Sequence, residues 1–195
     1  TAVGKWAIAI GLAQYLNTAI LSADSRQCYK EMTIGTAKPA ADELQAVKHY
    51  FINSHSVVNN LTAADYETLA LGYLNEIFAA ANTAVVCGGT GLYIKALCEG
   101  LDEMPAVNDA IAAEVQQQYD AHGITWLQQT VREEDPAFFA VGEVQNPARL
   151  LRALTFKRST GESITSFRKG AAKQRDFNMV KIGLELPREE LYNRI

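Results

Sequence analysis

Residues 83–93 read Thr83-Ala84-Val85-Val86-Cys87-Gly88-Gly89-Thr90-Gly91-Leu92-Tyr93. A β-branched apolar run closes on glycines that flank a threonine, and a helical pattern begins near Leu92, so the stretch reads as strand, glycine loop and helix. The same order occurs upstream. Ala19-Ile20-Leu21 is a short apolar run ending in the polar cluster Ser22 to Gln27, which predicts a buried strand presenting Asp24 at its carboxyl end. Strands alternating with helices predict an α/β chain, a parallel sheet flanked by helices, and ligands in such sheets collect outside the carboxyl ends of the strands. Asp24 and Thr90 are therefore expected to meet.

Working outward, Gly4 and Lys5 precede apolar residues at four-residue steps, Ile8, Leu12 and Leu16, which predicts a loop feeding an amphipathic helix. Thr62 reads as the N-cap of a helix of nearly twenty residues, with Asp65 at its positive end and Leu61 packing onto Tyr66. Between Pro105 and Val144 the pattern turns to helical pieces, including Asp109–Ala121 and Trp126–Arg132, with no convincing strand. This predicts an inserted all-α domain. Asp135-Pro136 and Asn146-Pro147 each set a cap residue before a first-turn proline, so each should open a helix. Met179–Leu186 returns to strand character, and Pro187 should start a last helix. The expected organisation is a core over 1–104, a helical insertion over 105–145, and 146–195 as a basic helix with a return to the core sheet.

The chain's 195 residues, 48% hydrophobic and 21% charged, suffice for a substantial core and exclude disordered and fibrous classes. No run approaches the roughly 20 apolar residues of a membrane span, and the opening residues lack the zones of a signal peptide, so a cytoplasmic protein without a membrane partner is expected. Cys28, Cys87 and Cys98 show no paired spacing, and neither do His49, His55 and His122. A disulfide framework or a nitrogen and sulfur metal site is not supported.

Charge is segregated along the chain. Residues 1–144 hold 7 Lys/Arg against 17 Asp/Glu, whereas 145–195 hold 11 against 5. Between Gln145 and Arg175 lie Arg149, Arg152, Lys157, Arg158, Arg168, Lys169, Lys173 and Arg175, facing the single acid Glu162. Such a stretch grips phosphates or forms a solvated face.

Thr1-Ala2-Val3-Gly4-Lys5 matches the end of the phosphate loop G-x-x-x-x-G-K-[ST], whose backbone N–H groups and lysine surround phosphate oxygens at a helix N-terminus. The first glycine of that motif is absent, and Trp6 stands where a Ser or Thr hydroxyl would ligate magnesium.

Further motifs accompany the loop: Asp24-Ser25-Arg26-Gln27-Cys28-Tyr29, Ile34-Gly35-Thr36-Ala37-Lys38-Pro39 and Gly88-Gly89-Thr90-Gly91-Leu92-Tyr93. Ala96–Leu101, Gln145-Asn146-Pro147-Ala148-Arg149, and Lys181–Leu184 before Pro187–Tyr192 continue the series. In this order, over essentially the whole chain, they resemble the bacterial tRNA dimethylallyltransferase family. The resemblance implies a P-loop NTPase-like fold with an inserted helical domain. It implies transfer of a dimethylallyl group from dimethylallyl diphosphate to N6 of the adenosine immediately 3′ of the anticodon. Asp24 would be the general base, and Lys5 with the backbone of Thr1, Ala2, Val3 and Gly4 would hold the diphosphate, accompanied by Mg2+ without a dedicated protein site. Asp24, Ser25, Arg26, Gln27, Thr90, Gln145, Asn146, Pro147, Ala148 and Arg149 would touch the tRNA anticodon stem-loop. A monomer is expected. Ala112 stands where the family commonly carries an arginine approaching the tRNA, so that contact should be missing. Two other readings are a small-molecule P-loop kinase and a nucleic-acid-binding module without catalysis. The basic segment and the Asp24–Gln27 element speak against the kinase, while Trp6 favours the module.

Overall fold

A computed structural model describes residues 3–168, 170 and 172–194. Two compact units form: one holds Thr1–Leu101 with Ala172–Ile195, the other Asp102–Ala171.

The first unit is built on a parallel sheet of order β2-β1-β3, with β1 Ile20–Ala23, β2 His49–Tyr50 and β3 Val85–Gly88. β1 is central, pairing Ile20 with His49 on one side and Ile20 through Ala23 with Val85 through Gly88 on the other. Period-two alternation sends Leu21 and Ala23 into a core shared with α3 (Ala63–Phe78) and α4 (Gly91–Glu99). Ile20, Val85 and Cys87 enter a second core against α1 (Lys5–Tyr15). Both faces of β1 are thus covered, which is why every one of its residues is buried, Ser22 included.

The Thr62 cap forms as the sequence predicts. Thr62 Oγ1 accepts from the Asp65 amide at 3.2 Å, and the Asp65 carboxylate accepts from the Thr62 amide at 3.0 Å. Those bonds to Thr62, outweighing a small burial penalty, hold the Asp65 carboxyl below its ordinary range. Helix α1 also forms, but it buries Ala9, Ile10 and Ala13 and leaves Ile8 exposed. The predicted Ile8-Leu12-Leu16 stripe lies at the margin of the true contact face. A short α2 (Ala41–Ala46) and the two-residue β2 carried no sequence signal strong enough to announce them.

Met179–Leu186 is not a strand. Val180 and Ile182 are 86% and 71% exposed, and Lys181 is tied to Glu99 at 3.2 Å. A β pattern becomes a strand only where an edge supplies backbone partners, and none of the described strands pairs with this segment. The return of the chain is fastened earlier, by charge. Arg175, its side chain 8% exposed, reaches Glu67 at 2.8 Å and the carbonyls of Ala96 and Leu97 at 2.7 and 2.9 Å.

The second unit is helical: α5 Asp109–Glu134, α6 Pro136–Val141, α7 Pro147–Thr160 and a 3-10 turn at Ile164–Phe167. The two predicted helices between 109 and 132 run on as α5, broken at Gly123, whose φ of 72° suits glycine. Asp135 caps α6 by accepting from the Phe138 amide at 3.0 Å. Asn146 stands at the N-cap of α7 but makes no capping bond, its amide turning to Glu143. The boundary expected at 145/146 lies elsewhere. Leu150, Ala153, Leu154 and Phe156 of α7 share one core with Val115, Leu127 and Val131 of α5, so α7 belongs to the helical unit and the return begins at Ala172. Helix α8 (Arg188–Tyr192), in the first unit, follows Pro187. Among the described residues, no helix is long and apolar enough to cross a membrane.

Candidate active site

β1 and β3 run parallel in register up to Ala23 opposite Gly88, so the residues that follow each strand emerge side by side. Parallel pairing thereby brings the two predicted motifs together. The Thr90 amide donates to the Ala23 carbonyl at 3.0 Å, and the Ser25 amide donates to Thr90 Oγ1 at 2.9 Å. Thr90 holds the N-cap position of α4 without capping it, since its hydroxyl is spent on Ser25. The close approach has a backbone cause: a Cβ on Gly88 would fall on the Ala23 main chain.

Asp24 closes the turn after β1. Its Oδ1 accepts from the amides of Arg26 at 2.9 Å and Gln27 at 3.3 Å, while Oδ2 accepts no hydrogen bond among the described residues. The carboxylate is half-buried. One oxygen is fixed by the backbone and the other has no donor among the described residues, which suits a group that must receive a proton at a set position.

Lys5 opens α1 behind Gly4, whose left-handed φ of 85° turns the chain into the helix. No side chain caps this N-terminus, and among the described residues Lys5 Nζ makes no hydrogen bond or ion pair. Free first-turn amides with a free ammonium form an anion-binding arrangement. Both Lys5 and Asp24 act on the thiol of Cys87: burial pushes that thiol up, Lys5 draws it down and Asp24 adds to the rise. The cysteine is thereby a neutral packing residue between the two charged groups. Val3 and Gly4 are described, whereas Thr1 and Ala2, which the sequence also assigns to the diphosphate, lie outside the described residues.

Trp6, on the first turn of α1, is half-buried. Its ring packs on the core beneath α1, 5.7 Å from the His49 ring. His49 presents Nδ1 to the Val47 carbonyl at 2.7 Å and leaves Nε2 buried without a partner. Burial lowers the pKa of this imidazole, against smaller opposing effects of the Val47 carbonyl and Glu43, which keeps it neutral beside the indole.

Of the residues expected to touch RNA, Ser25 is half-buried beside Thr90 and Arg26 is exposed. Gln27 differs from its neighbours: the residue is 2% exposed, and its carboxamide is bonded to Ser22, Thr36 and Ala37. Gln145 to Arg149 stand at the start of α7 in the helical unit, with Ala148 exposed and Arg149 paired to Glu143 at 2.9 Å.

The basic segment is not one face. Arg158 is bound through two nitrogens to Glu134 at 2.9 and 2.7 Å and also meets Glu114, while Arg175 and Lys173 are committed to Glu67 in the other unit. Arg152 and Arg168 are exposed and make no ion pair among the described residues. Lys169 lies outside the described residues.

Sequence reasoning missed the residues that shape the site from behind. Tyr66 and Tyr93 stack at 4.2 Å and donate to the carbonyls of Ser22 and Leu61, and burial pushes the Tyr93 phenol up to about 12. Lys38 donates to Tyr29 O at 2.6 Å and Asn53 Oδ1 at 2.7 Å, fastening the 33–38 loop. Gly35 and the Lys38-Pro39 pair mark that loop in the sequence, but nothing local names its partners.

The family model described as IPP transferase matches residues 27–195. The tRNA dimethylallyltransferases of Cytophaga hutchinsonii and Christiangramia forsetii are each 43% identical over 195 residues, the whole of this chain. The chain spans 64% and 65% of the length of those relatives. A crystal structure of the full-length tRNA isopentenylpyrophosphate transferase from Bacillus halodurans superposes with a TM-score of 0.60 at 31% identity, covering all of this chain and 60% of that one. The three-stranded parallel sheet flanked by helices is thus a P-loop NTPase-like fold, and the chain belongs to the IPP transferase family.

Proposed function

We propose that the full-length protein transfers a dimethylallyl group from dimethylallyl diphosphate to N6 of the adenosine immediately 3′ of a tRNA anticodon. The observation that carries this reading is the Asp24 carboxylate, held by two backbone amides through Oδ1 with Oδ2 open, beside Thr90. The printed activity of the relatives, tRNA dimethylallyltransferase, supports it.

The reaction divides among this chain's groups by charge. N6 of adenine is a poor nucleophile because its lone pair is delocalised into the ring. As it bonds to the first carbon of the dimethylallyl group, that carbon's bond to the diphosphate oxygen breaks, and Asp24 Oδ2 takes the N6 proton. Negative charge then collects on the departing diphosphate, where Lys5 and the free amides at the head of α1 stabilise it. The adenine must leave its stack to reach this point, at a cost of a few kcal/mol that RNA contacts offset. Ser25, Arg26 and Thr90 beside the base, and Gln145, Asn146, Pro147, Ala148 and Arg149 at the start of α7, are the assigned contacts.

Trp6 supplies no oxygen, and among the described residues no three His, Cys, Asp or Glu side chains converge. In this proposal Mg2+ arrives with the diphosphate as its counter-ion.

Replacing Asp24 with Asn keeps the turn's acceptor and removes the base. Single-turnover transfer from labelled dimethylallyl diphosphate to an anticodon stem-loop should fall by roughly two orders of magnitude, with RNA affinity within a few-fold of the parent. Transfer at the parental rate would remove Asp24 from the base role.

A further inference from the structure

Gln27 sits in the motif the sequence assigns to RNA, yet its carboxamide is used up inside the protein. Nε2 donates to the carbonyls of Thr36 at 3.1 Å and Ala37 at 2.9 Å, and Oε1 accepts from Ser22 Oγ at 3.2 Å. Both N–H donors are therefore spent, and the residue is only 2% exposed. The backbone of the same residue does something else: its amide donates to Asp24 Oδ1 at 3.3 Å.

The anchors at the far ends are themselves fixed. Ser22 is fully buried in β1, opposite Cys87, and its carbonyl accepts from the Tyr66 hydroxyl at 3.2 Å. The loop carbonyls belong to a turn that contains Gly35 at φ 75° and Ala37 at φ 50° and that Lys38 fastens to Tyr29 and Asn53. A continuous chain of hydrogen bonds runs from the tyrosine core through Ser22 and the Gln27 side chain, and the Gln27 amide joins it to the candidate base.

We propose that Gln27 is a positioning residue: its buried carboxamide clamps the 33–38 loop to β1, and through its own backbone amide this clamp sets the direction of the Asp24 carboxylate. The effect on rate rests on the transferase reading given above; the clamp itself does not. Hydrogen bonds in a desolvated site reinforce one another, and a misplacement of about 1 Å at a reacting group costs on the order of 100-fold in rate.

The test uses the full-length protein with Gln27→Leu, which keeps the size and removes the polar atoms, and with Ser22→Ala, which removes a single bond of the chain. Hydrogen exchange of the Arg26 and Gln27 amides should be accelerated in both variants, more in Gln27→Leu. Single-turnover transfer at saturating donor and stem-loop should fall roughly 10- to 100-fold in Gln27→Leu and less in Ser22→Ala, with stem-loop affinity within about threefold of the parent. If instead stem-loop affinity falls while the saturated rate holds, Gln27 reads RNA and the proposal is wrong. A lowered melting temperature with parental rate and parental amide exchange also overturns it, leaving Gln27 as packing. Should Gln27→Leu fail to fold, Ser22→Ala decides the matter by the same measurements. Should the parent show no transfer, the transferase reading falls, and amide exchange still decides the clamp.

Discussion

Gly88→Ala tests whether the approach of β1 and β3 positions the site. The new methyl would lie 2.7 Å from Ala23 Cα and nearer still to that residue's carbonyl carbon and oxygen, all inside the 3.0 Å that real Cβ contacts essentially never breach. The obstacle is backbone on the central strand, not the end of a flexible side chain. Relief must come from moving the ends of β1 and β3 apart, which also stretches the Thr90 amide to Ala23 carbonyl bond of 3.0 Å. Overpacking of this kind costs about 1–3 kcal/mol, and the loss of unfolded-state freedom on going from glycine to alanine returns about 0.4–1 kcal/mol.

A net destabilisation of about 1–2 kcal/mol corresponds to a fall in melting temperature of roughly 2–8 °C for a chain of this size. The larger consequence is catalytic. Ala23 precedes Asp24, and Ser25 is bonded to Thr90, so separating the strands displaces the carboxylate from the threonine; transfer should fall by about 100-fold even where the protein is fully folded. Thermal melts and single-turnover transfer at a temperature well below the transition measure the two effects separately. A variant as stable and as active as the parent would show that the strand ends tolerate the methyl and that their spacing does not set the site.

Three other outcomes follow from the same geometry. Burial alone would raise the Glu67 pKa, but the Arg175 hydrogen bond, the Lys173 charge and the Leu101 amide hold the carboxyl below its ordinary range. Its stabilisation is therefore full above the unfolded value of about 4.3 and is lost as pH falls through the lower folded value. In urea titrations Glu67→Gln should flatten the acid limb of the stability curve, and Arg175→Met, which strands the carboxylate, should cost about 3–5 kcal/mol at neutral pH; an unchanged acid limb would refute the coupling. Replacing Arg149 and Arg152 together with Gln should weaken stem-loop binding and lower its salt slope by up to about 2 without shifting the melting temperature, because the Arg149–Glu143 pair is exposed; parallel salt titrations would return these residues to a solvated face. Trp6→Thr should cost about 1–3 kcal/mol, less than the loss of a fully buried tryptophan, while tightening magnesium-dependent donor binding measured by calorimetry; equal donor affinity would show that position 6 does not serve the metal.

What the sequence made legible was whatever chain-local chemistry decides. The Thr62 and Asp135 caps, the proline-opened helices and the strand before Asp24 each depend on residues a few positions apart, and each forms. Met179–Leu186 failed because a strand is a property of a pair: the apolar alternation was real, but none of the described strands pairs with it. The basic stretch divides for a related reason. Arg158 and Arg175 are equivalent cations by composition, yet Glu134 lies 24 residues from one and Glu67 lies 108 residues from the other, and only the fold makes both arginines internal.

Gln27 shows where such reading stops. The Asp24–Gln27 spacing correctly groups a carboxylate with residues around it, but spacing is blind to which way a side chain turns. That direction is set by two carbonyls 9 and 10 residues onward and by Ser22 on the strand behind. A buried amide needs partners for its N–H groups wherever it faces. Once the 33–38 loop supplies them, a residue in the middle of a binding motif becomes part of the frame that holds its neighbour. The division between Asp24, open at Oδ2, and Gln27, bonded at every polar group, is thus an outcome of loop closure rather than of residue type.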